Sequence, residues 1–183
     1  MKRFAVVFLS VFLSIFLSPA SVALAGSTEP IVTEGVISAP VAEVWQAWTT
    51  KEGMESWMVA KTDFVLGLAT PWRTNYDANN SLDDETTIHQ QTLAYDPERM
   101  FAFRTVKAPQ TFPFPNAILK TWTVVYFEPV DAGHTKVTIR MHGYTEDEES
   151  QKMRTFFTWG NKVTLDDLVK KFAATPAGDR PPR

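Results

Sequence analysis

Thr121–Phe172 reads TWTVVYFEPVDAGHTKVTIRMHGYTEDEESQKMRTFFTWGNKVTLDDLVKKF, and the change of period inside it decides the fold. Thr121–Glu128 and Thr135–Tyr144 are strands joined around Asp131-Ala132-Gly133. Val137, Ile139 and Met141 alternate with Lys136, Thr138, Arg140 and His142, and Val125 and Phe127 face opposite to Tyr126 and Glu128. Alternation of this kind makes one sheet face apolar and the other polar, so the apolar face needs a cover. The cover follows at once. Thr145-x-x-Glu148 reads as a capping box, with acids over Glu146–Glu149 where the helix dipole favours them. Lys170 and Lys171 fall in the last turn of a helix reaching about Ala173, with a stripe of Phe157, Asn161, Leu165, Leu168 and Phe172 at helical spacing.

Working outward, Ile31–Ala39 reads as a strand, and Pro40 fits the start of a helix carrying Val41, Val44, Trp45 and Trp48. Lys51–Met58 is a second short helix, interrupted by Gly53. Asp63–Leu66, Trp72–Tyr76, Thr86–Tyr95 and Met100–Val106 read as strands. A polar turn over Asp77–Glu85 and the tight turn Asp96-Pro97-Glu98-Arg99 separate the later ones. Lys107–Leu119 is a long loop bearing Pro109, Pro113 and Pro115 with Phe112 and Phe114, suited to a gate. One strand, two helices, about six strands and a long helix imply an α+β class with an antiparallel sheet.

At 183 residues the chain suits one domain, and its 44% hydrophobic and 13% aromatic content describes a real core. A net charge of −3 with mixed signs lacks the basic face that nucleic acid requires. The absence of cysteine excludes disulfides, thiolate zinc sites and a thiol nucleophile. Residues 1–25 read as a signal peptide: Lys2 and Arg3 lead an apolar run from Phe4 to Leu17, Pro19 ends it, and Ala23-Leu24-Ala25 is a small-x-small cleavage pattern. The expectation is a periplasmic or secreted protein cut near Ala25, with no membrane span afterwards; an uncleaved anchor is the alternative. Residues 26–174 then form the domain, and 175–183 a disordered Pro-rich tail.

Three further stretches carry a resemblance. ISAPVAEVWQAWTTKEGMESWM (Ile37–Met58), YDPERMFAF (Tyr95–Phe103) and FFTWGNKVTLDDLVKKF (Phe156–Phe172) join the strand pair above. Together they resemble the activator-of-heat-shock-ATPase-homologue branch of the START-like (SRPBCC) superfamily, from about Ile31 to Phe172. The resemblance implies a helix-grip fold, a curved antiparallel sheet wrapped around the long C-terminal helix. It also implies a hydrophobic cavity between helix and sheet. Relatives bind lipids, sterols, hormones or polyketides, and some are cyclases or hydrolases. The cytosolic chaperone partner behind the branch name would not meet an exported protein. Asn161 stands where many members of the branch carry a tryptophan; here that residue is Trp159.

The expected cavity residues are Trp72, Thr74, Tyr76, Phe101, Phe103, Phe127, Ile139, Met141, Phe157 and Asn161. Asn161 is a lone amide on an apolar stripe, either a polar fixture for a ligand or an amide satisfied by its neighbours. His89, on a strand in phase with Gln91, Leu93 and Tyr95, is a weak candidate for a catalytic base if that face points inward. His134 and His142 lack helical metal spacing, and the acidic runs Asp83–Glu85 and Glu146–Glu149 lack calcium-loop spacing, so neither a metal nor a cofactor is expected. Three functions fit: a carrier of a small hydrophobic or amphipathic ligand, a cyclase- or hydrolase-type enzyme using a cavity acid or base, or a protein-interaction module. The oligomeric state is open.

Overall fold

The computed structural model describes residues 26–173. The expected signal peptide over 1–25 and the Pro-rich tail over 175–183 lie outside the described residues. In chain order the elements are β1 (Ile31–Ile37), α1 (Val41–Thr49), α2 (Lys51–Glu55), β2 (Lys61–Thr62), β3 (Pro71–Asn75), β4 (Ile88–Asp96), β5 (Met100–Lys107), a 3-10 turn (Ile118–Lys120), β6 (Trp122–Asp131), β7 (His134–His142) and α3 (Glu148–Ala173). The strands make one 7-stranded sheet in the order β1-β7-β6-β5-β4-β3-β2, antiparallel throughout. The helix pair α1–α2 carries the chain from one sheet edge to the other. The last strand, β7, then returns to pair with β1, from Ile31 opposite Met141 to Ile37 opposite Thr135.

The inward face is the alternating set. Phe101, Val125, Phe127, Val137, Ile139 and Met141 are buried, whereas Arg140 is exposed and Tyr126 lies on the outer side beneath its guanidinium. This half-solvated pattern is the usual arrangement of an antiparallel sheet with one covered face. The curved sheet and its long C-terminal helix form the α+β helix-grip expected of the sequence. Leu165 of α3 sits so close to β1 that a Cβ on Gly35 would come 2.9 Å from its Cδ2. Glycine at that point lets helix and strand approach.

Several boundaries differ from the sequence reading. The second helix stops at Glu55 rather than Met58. Asp63–Leu66 is no strand; pairing there is confined to Lys61 and Thr62. Asp63 instead uses its carboxylate to accept the Arg73 backbone N–H (2.6 Å) and Nε–H (2.8 Å), and Phe64 turns in against Trp72. The cap of α3 is Asp147, not Thr145: Asp147 Oδ1 accepts the Ser150 N–H at 2.9 Å, while Ser150 Oγ accepts the Thr145 N–H at 2.9 Å. A carboxylate two residues nearer the helix takes the free amide, which an aspartate does as well as a threonine.

The interior divides into two apolar clusters. The larger joins α1, α2, the middle of the sheet and the C-terminal half of α3 through Leu165, Leu168 and Phe172. The smaller joins Ile31, Ala117, Ile118, Met141, Tyr144 and Met153. Between Met153 and Leu165 no residue of α3 is fully buried. The helix bridges a gap there, and the gap is the site.

Candidate functional site

The cavity lies between α3 and the sheet and has a volume of about 160 Å³. At roughly 15 Å³ for each water position that is room for about ten waters, or for a compact ring system. Strand parity supplies its floor: Trp72 and Thr74 from β3, Ile88 and Gln90 from β4, Phe101 and Phe103 from β5, Ile139 and Met141 from β7. The helix contributes Phe157, Asn161 and Thr164, and Trp48, Met54, Met58 and Val59 close the end nearest α1 and α2. Trp72 is the hinge of the aromatic wall, packed edge-on against Phe64 at 5.0 Å and Phe103 at 5.6 Å. Phe103 in turn stacks on Phe101 at 5.3 Å.

The loop after β5 forms the mouth. Ala108, Pro109 and Phe112 line the cavity. Phe112 and Phe114 pack on each other at 5.6 Å, and both meet Phe156 of α3, at 6.2 and 5.9 Å. The loop is tied down by Glu149, whose Oε1 accepts the backbone N–H groups of Asn116 (2.9 Å) and Ala117 (3.0 Å). These bonds, the one from Ala117 first, hold the Glu149 carboxyl below the usual glutamate range.

The expected cavity residues all line it except Phe127. Phe127 points into the same side of the sheet but lies at the far end of β6, 2% exposed, where Trp45 (5.5 Å) and Trp48 (6.5 Å) close over it. It is core. Tyr76, just past β3, lines the cavity at its open side, with 64% of its surface solvent-accessible.

His89 is not in the cavity. Ile88 and Gln90 are the β4 residues that line it, so His89 stands on the opposite face, paired across the ladder with Arg73 and Lys107. Its pKa is lowered, by burial first and then by those two cations. Gln91, in phase with it, shares that outer side and accepts from Arg104 Nε (3.3 Å) and Nη2 (3.0 Å). Among the described residues the ionisable ones along the cavity are Tyr76 and Arg104, and the Arg104 guanidinium is turned to Gln91. Trp48, Met54, Met58, Ile88 and Gln90 were not anticipated at the cavity. Trp48 had been readable only as one of several apolar residues on a short helix. Among the described residues no group of three or more His, Asp or Glu could hold a metal, and no helix is long and apolar enough to cross a membrane.

The chain matches solved structures across most of their length. A Mesorhizobium loti protein, MLL2253, superimposes with a TM-score of 0.64 at 19% identity, covering 80% of this chain and 98% of that one. The Aha1 dimer from Colwellia psychrerythraea gives 0.60 at 15% identity, covering 78% and 95%. A protein from Arthrobacter aurescens gives 0.62 at 12% identity, covering 81% and 88%. At such identities the likeness is one of fold. No curated protein matches the sequence. The family model described as Activator of Hsp90 ATPase homolog 1-like protein matches residues 38–173, which holds both helices at the cavity end, every sheet strand but β1, and α3. The chain therefore belongs to the Activator of Hsp90 ATPase homolog 1-like family, within the START-like group of folds.

Proposed function

We propose that this is an exported binding domain that holds a small, mostly apolar ligand between the sheet and α3. The observation that carries the reading is the cavity itself: an aromatic and aliphatic pocket with a few placed polar groups, which is the common construction of a small-molecule site. Its position supports the same reading. The cavity falls where α3 bridges two separate cores, so space is built into the helix sequence between Met153 and Leu165. The Phe112 loop would admit and retain the ligand.

Acid–base catalysis finds little to use. Among the described residues no histidine, aspartate or glutamate lines the cavity, and His89 faces away. Protein contact is favoured by a different feature, the outer face of α3, where Trp159 is 68% exposed beside Phe156 at 44%. Native mass spectrometry of the protein purified from the exported fraction separates the two readings. A stoichiometric small molecule, released on denaturation, is the expected outcome; a bare mass together with co-purification of a protein partner favours the α3 surface. Export is tested by fractionation and N-terminal sequencing, with Gly26 expected as the first residue.

A further inference from the structure

The cavity carries donors that the fold never uses. Trp48 Nε1, Trp72 Nε1 and Asn161 Nδ2 are buried without an acceptor, and all three residues line the same cavity. Thr92 Oγ1 is also unpaired but lies elsewhere. Folded proteins pair nearly all their buried polar groups, because an unpaired donor forfeits the hydrogen bond it had with water. Here the unpaired donors are gathered around one void. Among the described residues the ring neighbours of Trp72 are Phe64, Phe101 and Phe103, none of which brings a hydrogen-bond-accepting oxygen. Tyr76 adds a hydroxyl on an exposed side chain that lines the cavity.

The acceptors are neutral ones: Asn161 brings its own Oδ1, the lining threonines bring hydroxyls, and among the described residues no carboxylate lines the cavity. Gln90 Oε1 is taken by the Thr74 hydroxyl at 3.2 Å. The residues around the site thus carry unpaired N–H groups just behind its surface and, among the described residues, no anion with which to receive an ammonium.

Building on the ligand-binding reading above, we infer that the cavity selects an apolar molecule bearing a hydrogen-bond-accepting oxygen, such as a ketone, ester or carboxyl group, and discriminates against amines. Tyr76 makes the first contact, since its hydroxyl is open. The indole and amide nitrogens each expose less than 1 Å² and are met as the guest parts the walls.

Three probes sharing one ring skeleton test this: tetralin, 1-tetralone and 1-aminotetralin, titrated calorimetrically into the purified protein. The ketone is expected to bind at least about tenfold tighter than tetralin, the worth of one well-made hydrogen bond to a buried donor. The amine is expected to bind more weakly than tetralin. In Tyr76→Phe and Asn161→Leu the ratio of ketone to tetralin affinity should fall. The unmodified protein gives a second readout: the indole N–H resonances of Trp48 and Trp72 should move downfield with 1-tetralone and not with tetralin. Equal binding of ketone and hydrocarbon, with no indole shift, overturns the inference and leaves the cavity a ligand site of purely apolar choice. Failure of all three probes to bind at millimolar concentration overturns the ligand-binding reading, and the inference with it.

Discussion

Gly53 sits in α2, where intrinsic propensity would favour alanine by about 1 kcal/mol. The packing reverses that preference. A Cβ there would lie 2.1 Å from Gln46 O and 2.6 Å from Thr50 Oγ1, because α2 starts against the last turn of α1. Thr50 forms the corner: its Oγ1 accepts the Gly53 N–H at 2.9 Å and its own hydroxyl donates to Gln46 O at 2.8 Å. A backbone oxygen cannot swing aside as a side chain can. Gly53→Ala should therefore destabilise the protein by about 1–3 kcal/mol, the usual cost of forcing atoms into filled space, despite the better helix former. Urea denaturation measures it, and a variant as stable as the parent would show that the α1–α2 corner can open freely. In the sequence Gly53 was visible as a helix interruption; its reason, a contact with a residue seven positions earlier, was not.

At the scale of elements, the loop over the cavity mouth hangs on one carboxylate. Glu149 accepts from the Asn116 and Ala117 backbones, and those bonds lower its pKa. A depressed carboxyl contributes its stabilisation fully above the unfolded glutamate value, roughly pH 4–5, and loses it as pH falls through the lower folded value. The loop should loosen in acid, and Glu149→Ala should loosen it at neutral pH. Amide exchange at Asn116 and Ala117 is the measurement, with Leu165 and Leu168 as protected references. Exchange at the two loop amides that stays unchanged in the variant would mean that the Phe112–Phe156 contacts hold the mouth alone. Elements differ in how plainly the sequence announces them. β7 is legible because Thr135, Val137, Ile139 and Met141 bury one face along it, and β6 because Val125 and Phe127 do so at its centre, so the period of two survives. β4 is harder: an extra residue at Leu93, between the pairs Thr92–Phe103 and Ala94–Ala102, breaks its phase and separates His89 and Gln91 from Tyr95. A bulge moves residues between faces without any mark in composition, which is why His89 could be weighed as an inward base and stands outward. Asp63–Leu66 failed for a different reason. Its residues answer to Arg73 and Trp72, partners that only the fold brings near.

For the whole molecule the decisive fact is that α3 is anchored at both ends and unsupported in the middle. Met153 is buried in the smaller cluster, Leu165, Leu168 and Phe172 in the larger, and Asn161 hangs over the space between. The sequence announced that amide as an oddity on an apolar stripe, and most of the inward residues around it follow from parity. The void itself was not legible, since it depends on how two cores in different parts of the chain are spaced. This division sets stability against binding. The amide nitrogen of Asn161 has no partner, and a buried donor in that state costs on the order of 1–3 kcal/mol. Leucine has nearly the same shape and no such debt. Asn161→Leu should therefore raise the unfolding free energy by about 1–2 kcal/mol. For a chain of this size that is a rise in Tm of about 2–8 °C. The same substitution should lower the affinity of 1-tetralone relative to that of tetralin. Calorimetric unfolding of the unliganded variant decides the first half. A lower Tm would mean that Asn161 already meets a partner in solution and that the helix, not a ligand, requires the amide. A higher Tm with weakened ketone binding would mean that the fold carries an unsatisfied group at its centre because a guest satisfies it.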